Sequence, residues 1–181
     1  MIIVGLTGGI ASGKSTVSKT FKEHNIPVVD ADLVARQVVE LGTSGLQQVA
    51  DAFGKDYLNE DGTLNRIKLG DLVFKEQKSL DKLNSIMDPL MKEEQKKQFK
   101  KLKDRGFKLA VFDAALICEM GNVEKYLPLI VVACPLEIQL QRLMSRNNLT
   151  KEQAMARIDK QFSVEIRTKL ADYVIDTSKD I

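Results

Sequence analysis

Residues 8–15 read Gly8-Gly9-Ile10-Ala11-Ser12-Gly13-Lys14-Ser15, a complete G-x-x-x-x-G-K-[ST]. Before it, Ile2 to Leu6 form a short β-prone apolar run without polar alternation, as in a strand buried on both faces. After it, the stretch from Lys14 to His24 reads as a helix. Strand, glycine-rich turn and helix in that order make a phosphate cradle. The glycines permit backbone angles that aim successive N–H groups at phosphate oxygens. The helix adds the partial positive charge of its N-terminus. Lys14 is placed to reach the β- and γ-phosphates of a nucleoside triphosphate, and the Ser15 hydroxyl to ligate Mg²⁺. Gly8, Gly9, Ile10, Ala11, Ser12, Gly13, Lys14, Ser15 and Thr16 are the expected nucleotide-binding residues.

Working outward, four more apolar runs follow. Ile26 to Val29 ends at Asp30, and Leu109 to Phe112 ends at Asp113. Leu129 to Ala133 ends at Cys134-Pro135, and the last run is Tyr173 to Ile175. Five short strands separated by helical segments predict a five-stranded parallel sheet with right-handed crossovers, an α/β fold of the P-loop NTPase type. The spacing is uneven. Residues 31–104 read as a helical insertion, with helices at Leu33 to Leu41, Leu46 to Phe53, Ile67 to Phe74 and Leu80 to Ile86, then a lysine-rich run to Leu102. Gly54, Gly62 and Pro89 punctuate it. A helix from Leu136 to Arg146 follows the fourth strand, and Thr150 with Gln153 forms a capping-box pattern opening another. The expected division is a nucleotide-binding core of residues 1–30, 105–135 and 166–181, an inserted acceptor domain of residues 31–104, and a lid of residues 136–165.

Composition bounds the function. The chain has 181 residues, 44% hydrophobic, with 27 basic and 25 acidic side chains and a net charge of +2. That balance argues against a general nucleic-acid binder. No apolar run approaches the roughly 20 residues that span a bilayer. One histidine, His24, excludes a His-rich zinc site and reads as a cap or surface residue. Cys118 and Cys134 follow no metal or redox spacing, which predicts a reducing, cytoplasmic setting, with Cys134 buried and inert. Phe21, Phe53, Phe74 and Met87 read as core, and the basic run from Lys92 to Lys108 as a solvated helix face.

Carboxylates and arginines narrow the chemistry. Asp113, at a strand end beside the P-loop, is expected in the Mg²⁺ shell with Ser15. Ligands of an open parallel sheet bind outside the carboxyl ends of its strands. Asp30 and Asp32 stand at such an end, and Asp32 is placed to take a proton from an acceptor hydroxyl as the γ-phosphoryl moves. The competing reading of each Asp is a helix N-cap. Arg142 and Arg146, four apart on one helical face, are placed to balance charge on the migrating group. A solvated face is their alternative. Arg157 follows in the next helix, while Arg36 and Arg66 lie in the insertion where anionic parts of an acceptor would meet them.

Asp51-Ala52-Phe53-Gly54 fits the D-x-x-G of a GTPase, but no Asn-Lys-x-Asp appears, and helices occupy the place of switch segments. A small-molecule kinase explains the features together. A shikimate or nucleoside monophosphate kinase is the nearest alternative, although a small acceptor needs no insertion of this length. A nucleotide-binding regulator without catalysis is the alternative from another class.

Further residues carry a family resemblance. They are Gly5 to Thr16, Asp30-Ala31-Asp32 with Ala35-Arg36, Phe53-Gly54, Asp61-Gly62-Thr63-Leu64-Asn65-Arg66, Val73-Phe74 and Pro89-Leu90. The series continues with Asp113, Leu116, Glu119, Gln139, Arg142, Arg146 and Gln161, and closes with Ala171-Asp172-Tyr173-Val174-Ile175. In these the chain resembles the dephospho-CoA kinases. The resemblance implies ATP as co-substrate, Mg²⁺, and transfer of the γ-phosphoryl to the ribose 3′-hydroxyl of dephospho-CoA. It implies Asp32 as base, Lys14, Arg142 and Arg146 at the phosphates, and Thr7, Asp32, Arg36, Arg66, Leu116 and Glu119 at the acceptor. Three stretches depart from the pattern. The family's His-Pro is Asp88-Pro89, its Pro-Leu-Leu-Phe-Glu is Ala115 to Glu119, and the Asn after the last strand gives way to Asp176-Thr177.

Overall fold

A computed structural model of the chain describes residues 1–121 and 123–179. The five apolar runs are the five strands: β1 (Ile2–Gly8), β2 (Val28–Asp30), β3 (Leu109–Asp113), β4 (Leu129–Ala133) and β5 (Tyr173–Asp176). They form one sheet in the order β2-β3-β1-β4-β5, and every pairing is parallel. The register brings Leu6 of β1 opposite Asp113 of β3, and Asp113 opposite Asp30 of β2. The carboxyl ends of three adjacent strands therefore meet at one edge.

The chain forms two compact units, residues 1–30 with 102–181, and residues 31–101. In the first, α1 (Lys14–Glu23) presents Val17 and Phe21, one helical turn apart, to Leu6, Val111 and Val132 from three strands. After β4 come α6 (Leu136–Asn147), α7 (Lys151–Ile158) and α8 (Val164–Lys169). Thr150 and Gln153 make both bonds of the expected capping box at the start of α7. His24 is the C-cap of α1, its ring Nδ1 lying 2.9 Å from the Thr20 carbonyl.

The second unit holds α2 (Ala31–Gln37), α3 (Ser44–Phe53), α4 (Arg66–Lys75) and most of α5 (Gln77–Asp104). Its core is Val39, Leu46, Val49, Leu64 and Leu69, with Phe53, Tyr57 and Met87 packed against it. Thr43 and Asn65 cap α3 and α4 through their side chains. Three expectations are corrected here. The first helix ends at Gln37, short of Leu41. The helix at Leu80 to Ile86 and the lysine-rich run are one helix, with Pro89 inside it. The ring removes one backbone hydrogen bond, but Leu83, Ile86 and Met87 anchor the flanking turn on the core. Phe74 is not core: it is 75% exposed. Leu69, Leu72 and Val73 define the packed face of α4, and Phe74 turns away with Ile67, seven residues earlier.

Candidate nucleotide and phosphoryl-transfer site

The P-loop leaves β1 at Gly8 and enters α1 at Lys14. Two residues take left-handed backbone angles, Ala11 (φ 59°) and Gly13 (φ 87°), which turn successive peptide groups into a concave nest. Ser12 N–H closes the turn on the Gly9 carbonyl at 3.1 Å. Close approach explains Gly8: a Cβ there would lie 2.6 Å from Ser12 Oγ and 2.7 Å from the Val132 carbonyl. Gly13, the N-cap of α1, makes no side-chain cap bond, so the first N–H groups of the helix receive no side-chain cap from it.

Around this nest the first unit assembles its charges. Lys14 Nζ donates to Asp113 Oδ1, and Asp113 is 3% exposed at the end of β3. No helix begins after Asp113, which removes the N-cap reading of that residue. Arg142 Nη2 donates to the Thr177 carbonyl at 2.7 Å, and Thr177 Oγ1 donates to the Ser12 carbonyl at 2.6 Å. Arg142 is therefore half-buried and tied to the back of the loop, not part of a solvated face. Arg146, one turn further on, is exposed and donates to Asn147 Oδ1 at 3.0 Å. Ala11, Ser15, Thr16, Arg142 and Arg146 line one open cleft of about 370 Å³. Arg157 is exposed on α7.

Ser15 Oγ and the Asp113 carboxylate are hard oxygen donors of the type that magnesium takes. Among the described residues no cluster of three or more His, Cys, Asp or Glu could form a protein cage for a metal. That donor set fits an ion delivered with phosphates, which retains several waters and takes one or two protein oxygens.

The residues expected at the acceptor fall in two places. Thr7 is fully buried in β1, its hydroxyl donating to the Ala115 carbonyl at 3.0 Å. Leu116 is 44% exposed in the turn after β3. Glu119 Oε1 accepts from the Phe162 N–H at 3.1 Å and from Arg167 Nη2. In the second unit, Arg66 Nη2 donates to the Arg36 carbonyl at 3.1 Å, so these two arginines lie together. Asp32 is exposed in the first turn of α2, two residues past the end of β2.

Sequence reading missed three roles. Arg167 of α8 is 1% exposed; besides Glu119 it donates to the carbonyls of Ala115 (3.1 Å) and Phe162 (3.2 Å). Nothing local marks it, since it sits in a polar run like any surface arginine. Gln139 and Gln161, which carried the resemblance without a role, both bond the backbone of Ile10, at 2.7 and 2.8 Å. The two thiols are buried, and burial pushes both pKa values up.

Comparison with known proteins extends over this whole arrangement. A family model described as dephospho-CoA kinase matches residues 2–181. A dephospho-CoA kinase of Listeria innocua is 45% identical over 178 residues, covering 98% of this chain and 89% of that protein. Among solved structures, TT1252 from Thermus thermophilus superposes with a TM-score of 0.84 at 28% identity, covering 99% of this chain and 90% of that one. A dephospho-CoA kinase from Campylobacter jejuni does so with a TM-score of 0.71 at 27% identity, covering 98% and 89%.

Proposed function

The chain belongs to the dephospho-CoA kinase family, and we infer from that membership how its residues share the work of the reaction. It is an ATP-dependent kinase that phosphorylates the ribose 3′-hydroxyl of dephospho-CoA, giving coenzyme A and ADP, the final step of coenzyme A synthesis. The observation that carries the reading is the P-loop nest with Lys14 and Arg142 on a parallel sheet, within a chain that matches the family from residue 2 to residue 181.

Phosphoryl transfer is mostly positioning and charge stabilisation. The nest of Gly8 to Gly13, with Lys14, Ser15 and Thr16 at the start of α1, holds the β- and γ-phosphates. Lys14 carries its cation to the oxygens of the migrating group, and Arg142 and Arg146 balance charge from the other wall of the cleft. Ser15 and Asp113 would hold a magnesium ion arriving with ATP, which would neutralise phosphate charge. Asp32, just beyond the carboxyl end of β2, accepts the proton of the 3′-hydroxyl as the oxygen attacks. Thr7, Arg36, Arg66, Leu116 and Glu119 contribute to acceptor binding. Residues 31–104 serve as the acceptor domain and residues 136–165 as the lid that excludes water. Two buried, unpaired thiols favour a cytoplasmic setting.

The test is Mg²⁺-dependent ADP release from ATP with dephospho-CoA, shikimate, AMP or no acceptor, with product masses read. ADP release with dephospho-CoA alone, and a product heavier by one phosphoryl group, supports the reading. Release with a different acceptor, or with none, overturns it.

A further inference from the structure

Two side chains grip one residue of the P-loop. Gln139 of α6 donates from Nε2 to the Ile10 carbonyl at 2.7 Å, and Gln161, in the α7–α8 link, accepts the Ile10 N–H on Oε1 at 2.8 Å. Backbone chemistry fixes which end of each amide faces the loop. A carbonyl only accepts and an N–H only donates, so Gln139 must present its NH₂ and Gln161 its oxygen.

The peptide between Ile10 and Ala11 is planar and trans, so its N–H points opposite to its C=O. Anchoring the Ile10 carbonyl on Gln139 therefore aims the Ala11 N–H away from the Gln139 amide. Gly9, Gln139 and Gln161 line a cavity of about 240 Å³ whose lining does not include Ala11. Ala11 instead lines the cleft that it shares with Ser15 and Arg142. Ala11 also carries φ 59°, which costs a non-glycine residue about 1–2 kcal/mol, so something must hold it there. Gly9 fits the same account: a Cβ on it would lie 2.7 Å from Gln139 Nε2 and push the amide off its carbonyl.

We propose that Gln139 and Gln161 are positioning residues that orient the P-loop through Ile10, so that the Ala11 N–H is held toward the phosphate chain of the nucleotide. Their effect on turnover rests on the kinase reading above; their effect on ATP affinity does not.

Glutamate at each position provides the test. Both swaps add the same charge and keep the shape, but Gln139→Glu sets an acceptor against a carbonyl, whereas Gln161→Glu keeps an acceptor for the Ile10 N–H. Titration calorimetry of the full chain with Mg·ATP is expected to show an affinity loss of about tenfold or more for Gln139→Glu, the scale of one lost hydrogen bond to a charged group. Gln161→Glu should bind ATP more tightly than Gln161→Ala. Gln139→Met, which removes the donor without adding charge, repeats the Gln139 arm should the glutamate variant fail to fold. Equal losses in the two glutamate variants, no loss on removing the Gln139 donor, or losses that only follow melting temperature overturn the proposal. ADP release with dephospho-CoA, measured on the same proteins, separates the two claims. A wild-type chain that binds ATP but leaves dephospho-CoA unmodified overturns the kinase reading, and the calorimetric contrast still decides the positioning role.

Discussion

The ammonium group of Lys14 and the carboxylate of Asp113 form an ion pair that joins the first residue of α1 to the last residue of β3. Asp113 is 3% exposed, so the lysine neutralises a buried anion in addition to its proposed work at the phosphates. Removing it should damage stability and catalysis separably. Lys14→Met is expected to lower unfolding free energy by about 3 kcal/mol, the scale for stranding one partner of a buried pair. Lys14→Met with Asp113→Asn should recover most of that loss, because no buried charge is left alone. Neither protein should turn over. Urea midpoints beside ADP release make the comparison, and equal stabilities of the single and double variants would refute it.

Asp32→Asn should separate binding from chemistry. The side chain lies in the first turn of α2, outside the P-loop nest, and its proposed work is to receive a proton. ATP affinity should stay within about twofold of wild type, while kcat with dephospho-CoA falls by about 10²–10⁴, the usual worth of a general base. Retention of more than a tenth of the wild-type kcat would remove Asp32 from the proton transfer.

The sheet was legible because its strands are short apolar runs, unbroken where β3 and β4 are buried on both faces and still apolar in the exposed edge strand β5, and each of the five ended within a few residues of its expected place. The phosphate nest and the α7 capping box were legible for a similar reason: their signals are local. Gln139, Gln161 and Arg167 were not. Gln139 meets Ile10 across 129 positions of chain and Gln161 across 151, while Arg167 meets Ala115 across 52. Only the folded chain brings these partners together. Phe74 and Pro89 misled in the opposite sense. Residue type suggested a core ring and a helix break, while packing placed the ring in solvent and carried α5 through the proline.

Arg142 and Arg146 should differ in importance. Arg142 is held in the cleft by the Thr177 carbonyl at 2.7 Å, whereas Arg146 is exposed beside Asn147. Arg142→Ala is expected to cost about 3–5 kcal/mol of transition-state stabilisation, roughly two to four orders of magnitude in kcat/KM. Arg142→Lys should restore little, since one ammonium cannot hold Thr177 and reach phosphate as a guanidinium fork does. Steady-state kinetics with saturating dephospho-CoA measure both. A loss below about tenfold for Arg142→Ala would instead leave Arg142 as a packing residue behind the loop.

The buried thiols give the protein a pH dependence whose sign can be worked out. Cys118 and Cys134 are 4% and 5% exposed, and burial raises both thiol pKa values. Near Cys118 the charge of Arg167 offsets part of the rise; at Cys134 Arg142 and the Thr177 hydrogen bond do the same. Unfolded thiols titrate at about 8.5. Above that pH the unfolded chain releases thiol protons that the folded chain retains, so unfolding becomes easier as pH rises. Below it the thiols' stabilising contribution is fully present. Unfolding free energies from urea titrations should therefore be insensitive to these groups from pH 7 to 8 and fall between about pH 8.5 and 10, by at most about 1.4 kcal/mol per pH unit for each thiol, with the urea midpoint falling in step. Lysines and tyrosines titrate in the upper part of that window as well, so the Cys118→Ala, Cys134→Ala double variant is the reference. Its midpoint should decline less steeply than that of the wild type. Identical slopes would mean that both thiols ionise as readily in the folded chain as in the unfolded one. The same burial predicts that a thiol-specific reagent at pH 8 labels the native chain only at the rate at which it opens, because the thiolate is the reactive form.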